Sequence, residues 1–200
     1  MRGALVMVLA ATLTACVTRG VQELPLLPDW PVRQATLSEL ETWTLRGRVR
    51  IATPEESSNG NLYWAQSGAS FVADIDGPLG IGGVHIEGDP SAVTLAGSRI
   101  ETRTVPDPGR ELYAQTGVRV PIEGLRYWLL GIPIPGVDAA IELDSDDVAQ
   151  TIHQSGWRID YPDYRRWNVN LLPRRITAEY ADTRLIIVVG DWDIREQEAP

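Results

Sequence analysis

Few side chains in this 200-residue chain have the types and spacing that covalent or metal chemistry requires. The sequence contains one cysteine, Cys16, and two histidines, His85 and His153. It has no His-Glu-x-x-His, Walker or Gly-x-Ser-x-Gly motif and no cysteine cluster. Its densest group of carboxylates is the segment 144–147 (Asp-Ser-Asp-Asp). We therefore expect no enzyme activity, no catalytic residue, no metal and no cofactor.

The acidic segment has a structural and a catalytic interpretation. Hydrolases use paired carboxylates as acid and base, so Asp144, Asp147 and a histidine could be the catalytic groups of a periplasmic hydrolase. The segment lies between two predicted strands, however, where Asp and Ser favour turns. We therefore interpret it as a turn, and His85 as a satisfied core or surface histidine, with the hydrolase kept as an alternative.

The chemistry expected of Cys16 is lipidation. Arg2 precedes an apolar run from Ala4 to Leu13, which is too short to span a bilayer and is typical of a signal peptide. The following residues, Leu13-Thr14-Ala15-Cys16, resemble a lipobox, in which the chain is cut before the cysteine and the thiol becomes a thioether to diacylglycerol. We expect residues 1–15 to be removed and Cys16 to carry acyl chains that anchor the protein stably.

The residues after the cysteine indicate where the anchor lies. In lipoproteins with this motif, an Asp after the cysteine retains the protein in the inner membrane, so Val17 implies the outer membrane, facing the periplasm. Residues 16–35 contain Pro25, Pro28 and Pro31 and are predicted to be a lipidated N-terminus and tether. Residues 36–194 form the predicted domain, and 195–200 form a C-terminal tail.

The predicted domain consists mostly of short strands. Between Trp43 and Ile51 apolar and polar residues alternate, as in a half-buried strand. A short helix is predicted from Thr36 to Glu41. The other strands are predicted at 61–66, 70–75, 83–87, 92–96, 99–104, 139–143, 149–154, 157–161, 167–171, 174–180 and 184–189. Helices at 107–116 and 121–130 interrupt them.

About eleven strands with one helical pair indicate a mainly β fold. A sheet of that many strands curls or splits, so we expect a curled antiparallel sheet or barrel, with the helices closing over its apolar face. A barrel of this size can hold a ligand cavity. The net charge of −9 argues against a nucleic-acid partner and against electrostatic docking on anionic lipid.

The connection 77–83 is unusually apolar for a loop. Pro78, Leu79 and Ile81 stand where a connection is normally polar. An exposed apolar loop needs an apolar partner, and for a protein tethered to a membrane that partner is the bilayer.

Several blocks of the mature chain resemble the LolB family of outer-membrane lipoprotein receptors. The resemblance covers most of the mature chain and rests on segments at 43–48 (WTLRGR), 60–64 (GNLYW), 77–80 (GPLG), 121–131 (PIEGLRYWLLG), 154–161 (QSGWRIDY) and 172–173 (LP). It implies an unclosed antiparallel barrel with helices as a lid. It also implies that the protein accepts lipoproteins from the periplasmic carrier LolA, and releases them into the inner leaflet of the outer membrane. The implied partners are a LolA-like carrier, lipoprotein acyl chains and outer-membrane phospholipid.

The resemblance also suggests site residues, in a chain that we expect to be a monomer. Leu79 matches the family's exposed loop leucine, so Leu79, Pro78 and Ile81 form the expected membrane-insertion loop. The expected acyl-chain cavity combines one face of the sheet with two helical residues, namely Leu45, Val49, Ile51, Trp64, Phe71 and Ile75 with Trp128 and Leu129. A structural or assembly lipoprotein that holds a protein partner on the same sheet is the main alternative.

Overall fold

Eleven antiparallel strands in one sheet dominate the computed structural model, which describes residues 27–77, 83–98 and 100–194. The predicted mainly β fold is therefore confirmed. The strands are β1 (Thr42–Ala52), β2 (Ser57–Ser67), β3 (Ser70–Asp76), β4 (Val84–Asp89), β5 (Ala92–Gly97), β6 (Ile100–Val105), β7 (Ala139–Leu143), β8 (Ala149–Gln154), β9 (Trp157–Trp167), β10 (Asn170–Tyr180) and β11 (Thr183–Ile194).

The sheet consists of two meanders joined through the first and last strands. Its order is β6-β5-β4-β3-β2-β1-β11-β10-β9-β8-β7, so β1 pairs with β11 and the two edges are β6 and β7. The helices α2 (Pro108–Thr116) and α3 (Ile122–Leu129) lie in the chain between those edge strands. The sheet is thus curled and unclosed, and both helices add buried residues to the core on its inner face.

Alternation along each strand places the core on one face of the sheet. In β1, Trp43, Leu45 and Val49 are buried while Arg46 and Arg48 are exposed. This period of two is the pattern from which the strand was predicted. The same inner face collects Leu62 and Trp64 of β2, Leu95 of β5, Ile159 of β9 and Ile187 of β11.

A bulge in β1 explains the glycine in its apolar series. The register with β11 shifts between Arg46 and Gly47. A Cβ on Gly47 would lie 2.4 Å from the carbonyl oxygen of Val188. Only glycine therefore allows β1 and β11 to approach this closely.

The first helix begins earlier than predicted. Helix α1 spans Trp30–Ser38, whereas the prediction ran from Thr36 to Glu41, so the helix also ends earlier than predicted. Pro31 stands in its first turn, where a missing N–H costs nothing, so one of the three prolines that suggested a tether belongs to the helix. Arg33 is buried, stands over the ring of Tyr164, and donates a hydrogen bond to the carbonyl of Leu171. Helix α1 is thus fastened to the β9–β10 hairpin, and burial lowers the pKa of Arg33.

The β9–β10 hairpin corrects another prediction. A strand was predicted at 167–171, but the chain turns there, because Asn168 has a φ of 55° and separates β9 from β10. Pro162 and Pro173 lie inside the two strands rather than at their ends. The β9–β10 register shifts between Pro173 and Arg175, as expected where proline cannot donate to the ladder. Strand β2 begins at Ser57, four residues before the strand predicted at 61–66.

No helix in the described ranges is long and apolar enough to cross a membrane.

Candidate functional site

An apolar cavity of about 560 Å³ lies between the sheet and the segment that contains α2. This volume is within the range of small-molecule pockets in proteins. Its walls are aliphatic side chains from three strands, from α2 and from the α2–α3 connection, namely Val49, Ile51, Ile75, Val84, Ile86, Leu112, Val118 and Val120. These aliphatic walls favour a hydrocarbon ligand, because they offer no polar group that binding would desolvate.

The cavity exists because large side chains are opposed by small ones. In the β1–β2 register, Val49 faces Gly60 and Ile51 faces Ser58. A Cβ on Gly60 would lie 2.7 Å from the carbonyl oxygen of Asp76 and 2.9 Å from Ile75 Cγ2. The close approach of β2 and β3 thus requires glycine, and the same glycine leaves space beside Val49.

Stacked aromatic rings fill the opposite end of the same space. Trp43 stacks on Trp64 with ring centroids 6.3 Å apart, and Trp64 stacks on Phe71 at 4.9 Å. Trp192 of β11 lies against Trp43 at 5.1 Å, with Trp167 beyond it. We call this group the aromatic plug. Because the rings are large and interdigitated, this end of the sheet is a packed core.

The expected cavity residues divide between these two ends. Val49, Ile51 and Ile75 line the cavity. Trp64 and Leu129 border a void of about 20 Å³ that shares those three residues. The remaining three lie elsewhere: Leu45 is buried opposite Trp64, Phe71 belongs to the aromatic plug, and Trp128 packs on Trp157.

A buried glutamine fastens α3 and the loop after it. Gln154 of β8 accepts hydrogen bonds from Trp128 Nε1 at 3.0 Å and from the backbone N–H of Ile134 at 2.8 Å. Its amide donates to the carbonyls of Ile134 and Val137. The side-chain oxygen thus accepts two hydrogen bonds and the side-chain nitrogen donates two, which uses both donors and both acceptor sites of the amide. These bonds hold the loop in place although it has no regular structure. These four hydrogen bonds join α3 and the loop after it to β8.

The cavity opens at a polar rim. One side of this rim is formed by the start of β2 and the residue before it, namely Glu56, Ser57, Ser58 and Asn59. Gly77 and Gly83 border it on another, and they flank the segment 78–82. The expected insertion-loop residues Pro78, Leu79 and Ile81 lie outside the described residues, as does Cys16.

The acidic segment forms a turn between β7 and β8. The Oδ1 atom of Asp144 accepts hydrogen bonds from the backbone N–H groups of Asp146 and Val148. Asp147 has a φ of 54°, a conformation typical of turns. The carboxylate of Asp144 is thus engaged in shaping the turn, in agreement with the structural interpretation. Within the described ranges, no group of three or more potential metal ligands is assembled.

His85 forms an ion pair on the outer face of the sheet. Its Nδ1 lies 2.6 Å from Asp74 Oδ1, and Glu87 lies 3.5 Å from its Nε2. The hydrogen bond with Asp74 raises the pKa of His85 above its usual value. His85 therefore has surface partners that account for it without catalysis.

Sequence patterns did not identify several residues on which the site depends. Leu112, Val118 and Val120 line the cavity from α2 and the connection after it. Gln154 occupies an inward position two residues after Ile152. A polar residue at an inward position of an alternating strand was therefore the signal from which its role could have been predicted. The role of Gly60 had no signal in β2 alone, because it depends on what β1 and β3 place beside it.

Solved structures share this fold. A LolA superfamily protein from Nitrosomonas europaea superposes with a TM-score of 0.53 at 12% identity, covering 85% of this chain and 95% of that one. A DUF1329 family protein from Desulfovibrio piger gives 0.55 at 8% identity, covering 84% and 91%. At these identities the likeness concerns the fold alone.

Sequence relatives identify the family. The model of the family described as "Outer membrane lipoprotein LolB" matches residues 41–192. The outer-membrane lipoprotein LolB of Nitrosococcus oceani is 38% identical over 167 residues, covering 82% of this chain and 83% of that protein. The protein of the same name from Stutzerimonas stutzeri is 30% identical over 192 residues, covering 94% and 93%. The chain therefore belongs to the LolB family of outer-membrane lipoproteins, which act in lipoprotein localization.

Proposed function

We propose that this chain accepts lipoproteins from a LolA-like periplasmic carrier, holds their acyl chains in the apolar cavity, and inserts them into the inner leaflet of the outer membrane. The observation that carries the proposal is the cavity of about 560 Å³ with aliphatic walls, whose rim includes Gly77 and Gly83. Val49, Ile51 and Ile75 would contact the chains directly, with Trp64 and Leu129 at the inner end.

Such a transfer needs no covalent step and no nucleotide. Each methylene gains about 0.8 kcal/mol when it leaves water for an apolar environment. Moving an acyl chain from one apolar cavity to another, and then to a bilayer, keeps that gain at every stage. Direction then requires only that each acceptor binds better than the donor before it. The chain would act as a monomer, because its cavity is lined by residues of one sheet and its own helices.

The anchor proposed for this function is the lipid on Cys16. We expect Cys16→Ala to leave an unprocessed or soluble periplasmic protein, because the acyl chains hold the protein at the membrane. Palmitate labelling and membrane fractionation measure this. A variant that still labels and remains in the outer-membrane fraction would contradict the lipobox interpretation.

The insertion step is proposed to depend on Leu79. Burying one leucine in lipid gains roughly 1.5–3 kcal/mol, or about one to two decades of affinity. That gain is too small to replace the anchor but sufficient to bring the cavity mouth to the bilayer. The flanks of this connection, Gly77 and Gly83, lie at the rim of the cavity.

Leu79→Glu tests the proposal by separating acceptance from insertion. The variant should fold, reach the outer membrane and accept radiolabelled lipoprotein from the carrier, but it should fail to insert that lipoprotein into liposomes. Val169→Glu is the matched control, because Val169 is an apolar residue with 63% exposure at a different turn. The control should insert normally. Normal insertion by Leu79→Glu, or a joint loss of folding and acceptance, would contradict the proposed role.

A further inference from the structure

The outer face of the sheet concentrates positive charge in a chain that is acidic overall. Because Val49 and Ile51 face inward, Arg48 and Arg50 project outward from β1. The registers pair Val188 of β11 with Arg48 on one side and with Arg175 of β10 on the other. Directly paired residues share a face, so Arg48 and Arg175 flank Val188, on backbones about 10 Å apart.

These arginines border an open groove of about 630 Å³. Its floor is the half-buried pair Ile186 and Val188. We call it the arginine groove, defined by Arg48, Arg50, Arg175, Ile186 and Val188. Arg50 Nε donates to Ser57 Oγ at 3.0 Å. Across the described ranges, none of the ion pairs involves the three guanidinium groups.

The arginine groove lies beside the mouth of the cavity. Val49, Asn59, Gly60 and Gly77 border both spaces, because β1 and β2 separate the inner cavity from the outer groove. A ligand in the groove would therefore sit next to the rim through which an acyl chain enters or leaves.

We propose that the arginine groove binds the phosphate of an anionic phospholipid headgroup. Guanidinium groups bind phosphate oxygens in pairs, and the Ile186–Val188 floor offers an apolar surface to the adjoining glycerol and upper acyl chain. The assignment of the ligand rests on the groove itself. Its use, which is to hold the cavity mouth on the bilayer during delivery, rests on the function proposed above.

Acidic residues around the groove favour a compact anion over an extended acidic peptide. Asp76 borders the groove, and Asp74 and Glu87 follow on the same outer face of β3 and β4. A peptide with several carboxylates would meet these like charges, whereas one phosphate fits between the arginines. The net charge of −9 also disfavours adsorption of the whole chain to an anionic surface, so attraction must come from a local site.

The binding test uses the lipidated full-length protein in nanodiscs of phosphatidylcholine, with and without phosphatidylglycerol. NMR signals of the arginine Nε–Hε groups report on each side chain. Phosphatidylglycerol should shift the signals of Arg48, Arg50 and Arg175 and leave those of the exposed Arg165, Arg174 and Arg184 unchanged. If inorganic phosphate added to phosphatidylcholine nanodiscs produces the same shifts at similar concentration, the site binds soluble anions and the lipid proposal is overturned. The absence of any shift at the three groove arginines would overturn it as well.

The functional test compares two charge-matched variants. Each arginine near an anionic surface contributes about fivefold in affinity, so three contribute on the order of a hundredfold. The groove variant Arg48→Gln/Arg50→Gln/Arg175→Gln should accept lipoprotein normally but lose the acceleration of insertion by phosphatidylglycerol. The control Arg165→Gln/Arg174→Gln/Arg184→Gln should keep that acceleration. Loss of acceptance from the carrier in the groove variant, without any lipid-dependent NMR shift, would identify a protein-binding surface and overturn the proposal. If the unsubstituted protein and both variants all fail to accept lipoprotein, the proposed function is wrong, whereas the NMR result still tests binding in the groove.

Discussion

The two ends of the space beneath the sheet differ although the same two strands build both. At the beginning of β1, Trp43 and Leu45 oppose Gln66 and Trp64 of β2, and the rings leave no room. At its end, Val49 and Ile51 oppose Gly60 and Ser58, and a cavity of about 560 Å³ remains. Alternation therefore decides which side chains face inward, whereas the sizes of cross-strand partners decide whether the interior is full or empty.

The largest expected effect of a single substitution is at the filled end. Trp64→Ala should lower the free energy of unfolding by about 3–5 kcal/mol, because it removes an indole that stacks on both Trp43 and Phe71. Ile51→Ala at the empty end should cost about 2 kcal/mol, since part of its surface already borders empty space. Urea denaturation of both variants measures the difference. Equal losses would show that the two ends are packed alike.

Filling the empty end should affect binding rather than stability. Val84→Trp places an indole in the cavity, and displacing two methylenes of a bound chain costs about 1.6 kcal/mol, or roughly tenfold in affinity for acyl chains. Transfer of lipoprotein from the carrier, together with the melting temperature, measures this. Val72→Trp is the matched control, because Val72 lies on the opposite face of β3. If both variants accept lipoprotein equally well, acyl chains do not occupy this cavity.

The smallest expected effect lies on the outer face behind the cavity. The pairing with Asp74 raises the pKa of His85 above 6.5, its ordinary value. A raised folded-state pKa means that the pair stabilises the protein fully below about pH 6.5, and that this stabilisation is lost as the pH rises through the folded pKa. The pair is partly exposed, so its contribution is about 0–1 kcal/mol.

His85→Gln should therefore lower the unfolding free energy at acidic pH and have no effect at alkaline pH. The exposed His153→Gln on β8 is the control, measured by denaturation over the same pH series. A loss that grows toward alkaline pH would show that the ion pair is not the source of the stabilisation.

Sequence patterns predicted most strands because each has a local signal. Strands β7 and β8 begin and end where they were predicted, since turn residues bound both. The β9–β10 hairpin was misplaced because the predicted strands 157–161 and 167–171 stop before Pro162 and Pro173, whereas the sheet accommodates a proline within each strand. Helix α1 was predicted too far along the chain, because its first turns hold Arg33, whose burial is explained only by contacts with Tyr164 and Leu171.

The candidate site was less predictable than the fold. The inward residues of β1 followed from alternation, but Leu45 lies in the packed core and Val49 at the cavity. That difference depends on Trp64 and Gly60, which are brought opposite them by the register of β2. The arginine groove depends in the same way on Arg175, which β11 separates from Arg48. Contacts between distant strands carry no local signal in the sequence.

The pairing of the first strand with the last determines when the sheet can finish folding. Every other pairing in the sheet joins neighbours in the chain, but β1 and β11 belong to opposite ends of the domain. Closing so long a loop is entropically costly and slows folding. A chain that emerges N-terminus first would keep the β1 edge unpaired until Thr183–Ile194 arrives, and an open strand edge invites association with other chains. Loss of the last strand would therefore expose the central strand of the sheet to aggregation rather than merely shorten the protein.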